Sequence, residues 1–316
     1  MQSPSRLAII SAFAAVYLIW GSTYLGILFA IQSMPPLLMA GTRFFSAGVI
    51  MYLIATVQGA RRSTWPEWRT SAIVGAALLL GGNGGVTLAE QYVTSGLAAV
   101  MVATVPIYIA LLGWLTGSAA RPTPIVWAGL AGGLAGVALL LAPSVNFVDV
   151  EHPHATLGML ILLFSAFAWS AGSIYSRSAP NAPSSFVTTG QQMLCGGALM
   201  IGVGSICGEW RRVNVHQISA TSWGAWIYLV VIGAIVGYSA YMWLLRHCEP
   251  AKVATYAYVN PIVAVLLGAA FAGEKLALRT VVAAGLIIGS VALVITVGQR
   301  KSRPQADLTP ALAPRS

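Results

Sequence analysis

The sequence predicts an all-α integral membrane protein with ten transmembrane helices arranged as two inverted five-helix repeats. Of the 316 residues, 57% are hydrophobic and only 8% are charged, whereas charged residues make up about a quarter of a soluble domain. Ten apolar runs have roughly the 20 residues that a helix needs to cross a bilayer. These runs form two groups of five that carry the same residue types at equivalent places.

The predicted spans follow one another closely, and little sequence remains for a soluble domain. We divide the chain into a first repeat at 7–142, a second repeat at 156–298 and a polar tail at 299–316. The apolar run after Arg6 is longer than the roughly 7–15 residues of a signal-peptide core, so we interpret it as the first membrane helix. The spans are predicted at 8–30, 36–57, 70–90, 94–116, 125–142, 156–177, 184–206, 223–245, 251–272 and 280–298.

The distribution of Lys and Arg predicts that both termini face the cytoplasm. With the N-terminus inside, twelve of the 17 basic residues fall in cytoplasmic segments, four fall outside, and Arg43 lies within the second span. Cytoplasmic loops of membrane proteins carry an excess of basic residues. This bias explains the net charge of +9, which therefore does not indicate a nucleic-acid partner.

Equivalent residues in the two groups of spans predict an internal repeat. Trp20 and Trp169 lie 149 residues apart in spans 1 and 6, and Pro106 and Pro261 lie 155 residues apart in spans 4 and 9. Because each repeat has an odd number of spans, the second must enter the membrane in the opposite orientation. Inverted repeats of this kind are typical of secondary transporters, in which the binding site lies near the midplane between the halves.

A proline lies inside each of spans 4 and 9, at Pro106 and Pro261. Proline removes a backbone hydrogen bond and kinks or opens a helix. In a bilayer the freed backbone groups are tolerated only inside the protein or beside a wet cavity. We therefore predict helix breaks at Pro106 and Pro261, beside a central pathway.

Polar and aromatic side chains on spans 1, 2, 3, 6, 7, 8 and 9 form the predicted substrate cavity. Small-molecule sites are apolar overall and carry a few fixed hydrogen-bonding groups. Any one of the aromatic residues could equally serve packing or an interfacial belt, and it is their convergence that favours a cavity. The predicted cavity residues are Trp20, Ser22, Arg43, Asn83, Trp169, Gln191, Tyr238, Tyr241, Tyr256, Tyr258 and Asn260.

Two charged residues within the spans have two interpretations each. Arg43 lies deep in span 2, where it either snorkels and packs or contacts an anion or carboxylate in the cavity. Glu90 lies near the outer end of span 3, where it is either a coupling residue that carries a proton or a solvated carboxylate at a helix end.

No pattern for enzymatic, nucleotide or metal chemistry is present. The sequence contains no HExxH, no P-loop and no GxSxG, and its three cysteines lack ligand spacing. We therefore expect no catalytic residue, no cofactor and no metal. The expected partners are a small-molecule substrate and the lipid bilayer. Glycine ladders at Gly129/Gly133 and Gly285/Gly289 either pack helices within the chain or support a dimer face, so both a monomer and a homodimer stay open.

Five stretches resemble the EamA family of the drug/metabolite transporter superfamily, in particular its bacterial inner-membrane members. They are IWGSTYLG (19–26), PPLLMAGTRFFSAG (35–48), GNGGVTLAEQ (82–91), SGLAAVMVATVP (95–106) and YAYVNPIVAVLLG (256–268). The resemblance covers nearly the whole chain. A glutamate that the family often carries after helices 4 and 9 is kept at Glu274 but is replaced by Ala119 in the first half.

This resemblance implies two five-helix repeats, cytoplasmic termini, the bacterial inner membrane, and export of small metabolites or amphipathic drugs by a secondary carrier. One alternative is a facilitative uniporter or channel-like permease without ion coupling. A membrane enzyme acting on lipids would need a nucleophile, paired acids or a metal cluster, and a sensor would need a larger loop domain. None of these is visible in the sequence.

Overall fold

A computed structural model of the chain describes residues 4–93, 95–142, 154–272 and 278–301. Within these ranges the fold is all-helical, as predicted, and no strand occurs. Ten helical segments, α1 to α10, follow one another along the chain. Their bounds are α1 Arg6–Ile31, α2 Pro36–Val57, α3 Trp65–Ala89, α4 Ser95–Val102 with Val105–Leu115, α5 Pro124–Leu141, α6 Ala155–Ser178, α7 Ser185–Ile206, α8 Ala220–His247, α9 Pro250–Val253 with Tyr256–Ala272, and α10 Leu278–Lys301.

Local sequence explains where several helices begin. The Ser5 side chain accepts a hydrogen bond from the Ala8 backbone N–H at the start of α1, as expected of an N-cap serine. Helix α3 begins at Trp65, five residues before the predicted edge at 70. The reason is that Glu67 reaches back to accept a hydrogen bond from the Thr64 backbone N–H at 2.8 Å, which stabilises an additional first turn.

Helix length and composition match a membrane protein. Among the described residues, seven helices are long and apolar enough to cross a bilayer, and α10 carries a shorter apolar stretch, Leu278–Val294. Helix α7 is equally long but contains the buried amides of Gln191 and Gln192. Outward-facing side chains are large and apolar along most helices, which suits contact with lipid tails.

Contacts between helices have the symmetry expected of an inverted repeat. Helix α1 packs against α8 and α9, and in the equivalent way α6 packs against α3 and α4. Helix α2 packs along its own counterpart α7, and α5 packs along its counterpart α10. Each repeat therefore contributes half of every major interface, so the two halves form one bundle.

The contact between α2 and α7 brings the two backbones together. A Cβ atom added to Gly197 would lie 2.5 Å from the Phe45 backbone nitrogen, and one added to Gly48 would lie 2.6 Å from the Leu194 nitrogen. Real Cβ atoms do not approach so closely, so glycine is required at both places. Such small residues allow membrane helices to pack tightly in the absence of a hydrophobic driving force.

The glycines of α5 and α10 have different environments. A Cβ added to Gly129 would lie 3.0 Å from the Val294 side chain, and one added to Gly136 would lie 2.7 Å from Ile287, so α5 packs closely on α10. A Cβ at Gly285 or Gly289 would meet none of the described atoms within 4 Å. The ladder on α5 thus serves packing within the chain, whereas that on α10 faces away from the described part of the bundle.

Helices α4 and α9 are each interrupted once. In α4 the interruption lies between Val102 and Val105, and Pro106 occupies the first turn of the second piece. In α9 the interruption lies between Val253 and Tyr256, and the helix then continues through Pro261. The break in α4 therefore lies directly before Pro106, whereas the break in α9 lies further ahead of Pro261.

A threonine occupies both interruptions. The Thr104 hydroxyl donates to the Met101 carbonyl at 2.6 Å, and the Thr255 hydroxyl donates to the Lys252 carbonyl, also at 2.6 Å. Each of these carbonyls also accepts the backbone N–H of the same threonine, at 3.1 and 3.2 Å, so the chain makes a tight turn at both interruptions. The sequence signal for the break in α9 is thus Thr255 rather than Pro261.

The middle of α3 and the middle of α8 are π-helical, over Gly75–Gly84 and Leu229–Tyr238. A π-helix is wider than an α-helix and is rare outside functional sites. The two segments have equal length and occupy equivalent places in the two repeats. Buried residues of the two segments include Leu78 and Leu79 in α3 and Leu229 and Tyr238 in α8.

We predict that Gly197→Ala destabilises the protein by about 1–3 kcal/mol, because the added methyl group clashes with the α2 backbone. Gly202→Ala is the matched control on the same helix, since a Cβ there meets nothing within 4 Å. Alanine favours helix over glycine by about 1 kcal/mol, so the control should be neutral or stabilising. Thermal unfolding in detergent measures both variants, and equal melting temperatures would contradict this packing.

Candidate functional site

A cavity of about 110 Å³ lies where the two repeats meet. Side chains from α1 to α4 of the first repeat and from α6, α8 and α9 of the second line it. Its surface is mainly apolar, with a few polar groups, as expected for a small-molecule site. The sequence-predicted residues that line it are Trp20, Arg43, Asn83, Glu90, Trp169, Tyr238, Tyr256 and Asn260.

Helix α3 contributes one continuous face to the cavity. Asn83, Val86, Thr87 and Glu90 follow one another at the spacing of three and four residues that keeps side chains on one side of a helix. Glu90 is the C-cap residue that follows α3, and it is partly buried. It lies in the same cavity as Arg43, so the cavity carries one acidic and one basic group.

Arg43 is buried in α2, with only 4% of its surface exposed. One of its terminal nitrogens, Nη2, donates to Asn83 Oδ1 at 2.8 Å, and the guanidinium lies 4.4 Å from the centre of the Phe44 ring. No carboxylate pairs with it in the described part of the chain, and its Nε–H has no hydrogen-bond partner there. A buried cation with an unused donor is costly unless another group binds it.

Helix α8 approaches the cavity through its π-helical segment. Tyr238 lies at the end of this segment, and its ring packs against Phe44 and Trp169 at centroid distances of 6.3 and 6.4 Å. Its hydroxyl points away from the cavity and donates to Gln192 Oε1 at 3.1 Å. The tyrosine therefore presents an apolar ring to the cavity and fixes that ring through α7.

Four aromatic rings close the side of the cavity that is nearer to the start of α1. Trp20 lies in edge-to-face contact with Trp169 and with Tyr256, at centroid distances of 5.5 and 4.9 Å. Tyr241 is fully buried behind them. Its hydroxyl accepts a hydrogen bond from Trp169 Nε1 at 2.9 Å and pairs with the Ser173 hydroxyl at 2.7 Å. We call Trp20, Trp169, Tyr241 and Tyr256 the aromatic cluster.

Polar contacts continue the closed side of the cavity from the aromatic cluster toward the start of α1. The Tyr17 and Thr255 hydroxyls are hydrogen-bonded at 2.6 Å, which joins α1 to the interruption in α9. The Asn260 amide, in the orientation that satisfies its neighbours, donates to the carbonyls of Tyr17 and Tyr256 at 3.3 and 3.0 Å. Helices α1 and α9 are thereby tied together at the break.

Four of the sequence-predicted residues do not line the cavity. Ser22 is hydrogen-bonded to the Tyr228 hydroxyl at 2.5 Å, and Tyr241 lies behind the tryptophans. Gln191 accepts a hydrogen bond from Ser71 at 3.4 Å, inside the contact between α3 and α7.

Tyr258, the fourth of them, points in the opposite direction, toward α5. Its hydroxyl donates to the Leu130 carbonyl at 2.9 Å, and its ring fills the space beside Gly133, where an added Cβ would lie 2.6 Å from it. Tyr258 thus serves the packing of α9 on α5. Glu274 lies outside the described residues.

Several lining residues are not among those that the sequence analysis selects. Their side chains are small or apolar, so composition alone gives no reason to choose them. The spacing on α3 could have indicated Val86, because it lies three residues after Asn83 on the same face. These residues are Phe44, Val86, Val102, Val105, Ser165 and Gly233.

Comparison with known proteins agrees with this architecture. The model of the EamA-like transporter family matches residues 6–142 and again 156–296. The chain belongs to the EamA-like transporter family. The resemblance found in the sequence is thus confirmed, and the ten helices form a membrane transporter in two repeats rather than an enzyme.

Individual relatives are also named as transporters. The inner membrane transporter YedA of Escherichia coli K12 is 37% identical over 95% of this chain and 94% of its own length. The transporter YvbV of Bacillus subtilis is 26% identical over 92% of each chain. A probable amino-acid metabolite efflux pump of Salmonella typhimurium is 26% identical over 86% of this chain and 91% of its own.

A solved crystal structure has the same fold. It covers 94% of this chain and all of its own, with a TM-score of 0.75 and 21% sequence identity. Family and fold together place the chain in a lipid bilayer with a small-molecule substrate.

We predict that Tyr241→Phe lowers the free energy of unfolding by about 1–3 kcal/mol, because the buried Trp169 N–H loses its acceptor. The matched control is Tyr175→Phe, since Tyr175 is 38% exposed on α6. Thermal unfolding in detergent compares the two variants with the parent protein. A Tyr241→Phe variant as stable as the control would contradict the role of this hydroxyl in closing the cavity.

Proposed function

We propose that the protein is a secondary carrier of the bacterial inner membrane that exports small amphipathic metabolites or drugs by alternating access. The observation that carries this proposal is the central cavity, which both repeats line and which the aromatic cluster closes on one side. A carrier needs a site that opens to one face at a time. A membrane pore would instead need a path open to both.

The predicted orientation indicates the side of the membrane toward which the cavity opens in the described conformation. With both termini in the cytoplasm, the aromatic cluster lies on the cytoplasmic side and Glu90 lies toward the outside. The described conformation would then be outward-facing, the state from which an exporter releases its cargo. Rocking of the two repeats would separate Trp20 from Trp169 and open the cytoplasmic side.

The interruptions of α4 and α9 supply places where this motion can be absorbed. At Thr104 and Thr255 the backbone N–H bonds the carbonyl three residues earlier, and the threonine hydroxyl bonds the same carbonyl. The Tyr17–Thr255 bond and the Asn260 amide would break as α1 moves away from α9. Hinges of this kind are a few residues at the ends of elements.

The chemistry of the cavity favours a cargo that carries a carboxylate or another anion next to an apolar body. Arg43 would bind the anionic group, because it is buried, has no carboxylate partner among the described residues and has a free Nε–H. The aromatic rings would contact the apolar part. The relative named as a probable amino-acid metabolite efflux pump is consistent with such cargo.

We predict that Arg43→Gln raises the half-saturating concentration for carboxylate substrates roughly ten- to hundredfold. A hydrogen bond to a charged group contributes about 1.5–3 kcal/mol, and about 1.36 kcal/mol corresponds to a factor of ten. Counterflow in proteoliposomes, with a panel of amino acids and amphipathic drugs, measures the change.

Arg62→Gln is the control for that measurement, since Arg62 is exposed, and Arg43→Lys tests whether charge alone suffices. Unchanged half-saturation for every carboxylate in Arg43→Gln would exclude Arg43 as the anion contact. No saturable exchange of any compound by the folded parent protein would count against the carrier itself.

Glu90 is the residue that we propose for proton coupling, because it is a partly buried carboxylate in the cavity and the described residues offer it no cation partner. We predict that Glu90→Gln abolishes accumulation driven by a pH gradient and leaves counterflow intact. Glu249→Gln removes a carboxylate that is paired with Lys252 away from the cavity, and it should keep both activities. Gradient-driven accumulation that persists in Glu90→Gln would exclude Glu90 as the coupling residue, and no gradient-driven accumulation by the parent protein would favour the uncoupled uniporter.

A further inference from the structure

Contacts between α2 and α7 show which residue of the second repeat corresponds to each residue of the first. A Cβ added to Gly48 would lie 2.8 Å from the Gly190 carbonyl, and one added to Gly197 would lie 2.9 Å from the Gly41 carbonyl. These two contacts are equivalent if residues of α2 and α7 correspond at an offset of 149, as Trp20 and Trp169 do. In this register the counterpart of Arg43 is Gln192.

A second pair of contacts defines the register of α3 and α8. A Cβ added to Gly82 would lie 2.7 Å from the Trp169 ring, and one added to Gly237 would lie 2.7 Å from Trp20 Nε1. Since Trp20 and Trp169 are counterparts, Gly82 and Gly237 are counterparts as well, at an offset of 155. The residues that follow them, Asn83 and Tyr238, therefore correspond to each other.

Within each repeat the two residues at these positions are hydrogen-bonded to each other. Arg43 Nη2 donates to Asn83 Oδ1 at 2.8 Å, and the Tyr238 hydroxyl donates to Gln192 Oε1 at 3.1 Å. Each pair also leaves one buried donor without a partner among the described residues, Arg43 Nε and Gln192 Nε2. An unused buried donor costs about 1–3 kcal/mol, so both pairs have the capacity to bind one more acceptor.

The two pairs differ in their access to the cavity. Arg43 and Asn83 both line it. Gln192 is fully buried and does not line it, and Tyr238 contributes only its ring. Equivalent positions thus have different exposure in the state described. In transporters built from inverted repeats, alternating access is largely a rocking of one repeat against the other around a fixed site. We therefore expect that, in the state that faces the other side, each half adopts the arrangement that its counterpart has here.

We propose that Gln192 and Tyr238 form a second polar half-site, which faces the cavity when it is open on the side that the aromatic cluster now closes. In that state the Gln192 amide N–H binds the acceptor group of the substrate, and the Arg43–Asn83 pair is packed as the Tyr238–Gln192 pair is now. This inference rests on the alternating access proposed above. It makes Gln192 a substrate contact in addition to a packing residue.

Side-specific labelling of cysteines tests the half-site without knowledge of the substrate. In a background with Cys195, Cys207 and Cys248 replaced by alanine, a membrane-impermeant thiol reagent is applied to vesicles of either orientation. Asn83→Cys should react at least tenfold faster from the side nearer to Glu90. Gln192→Cys should react at least tenfold faster from the opposite side.

Gln191→Cys is the matched control. Gln191 is the neighbouring residue, is equally buried, and corresponds in this register to Thr42, which does not line the cavity. It should stay unreactive from both sides. The proposal would be overturned if Gln192→Cys were as unreactive toward the thiol reagent as Gln191→Cys. It would also be overturned if Gln192→Cys reacted from the Glu90 side.

Moving the arginine from α2 to the equivalent position of α7 gives a second readout if Gln192→Cys does not fold. The variant Arg43→Gln/Gln192→Arg should recover at least a third of the exchange activity that Arg43→Gln loses, because the cation returns at the equivalent position. Arg43→Gln/Gln191→Arg should recover none. Failure of the parent protein to exchange any compound would count against the proposed function alone. Absence of rescue in an active system would count against the half-site.

Discussion

The backbone contact between α2 and α7 is the constraint on which the arrangement of the two repeats depends. Gly48 and Gly197 allow these helices to touch at the centre of the bundle, where no hydrophobic driving force between helices exists in a lipid environment. Because the two helices are counterparts, the contact lies on the axis that relates the repeats. Arg43, which lines the cavity, and the fully buried Gln192 lie on these two helices.

Many polar side chains of this bundle are satisfied within their own helix, and a few buried donors are not. Ser170 and Ser173 return their hydrogen bonds to carbonyls one turn earlier, as serines in apolar helices commonly do. Arg43, Gln191 and Gln192 keep buried donors without partners among the described residues. All three lie on the two central helices, next to the π-helical segments, where a change in helix packing would change their surroundings most.

Composition and repeat spacing were sufficient to predict the fold, because the apolar runs indicate the spans and the equivalent tryptophans and prolines indicate their division into two halves of five. The site was less predictable, since a residue type does not specify the direction of a side chain. Tyr256 faces the cavity and Tyr258 faces α5, although they lie two residues apart on one helix. The break in α9 illustrates the same limit: Pro261 was the visible signal, and the helix opens instead at Thr255.

The difference between Arg43 and Gln192 has a consequence for the energetics of transport. A hydrogen bond from a guanidinium to a carboxylate is roughly twice as strong as one from a neutral amide. If the two residues serve as contacts in opposite states, an anionic substrate stabilises the state that exposes Arg43, since a ligand shifts a conformational equilibrium by its difference in affinity. Proton uptake by Glu90 would reduce the negative charge of the same cavity. The charged groups on α2 and α3 would then favour the outward-facing conformation once an anionic substrate is bound, and the neutral pair on α7 and α8 would bind the same substrate less tightly in the conformation that faces the cytoplasm.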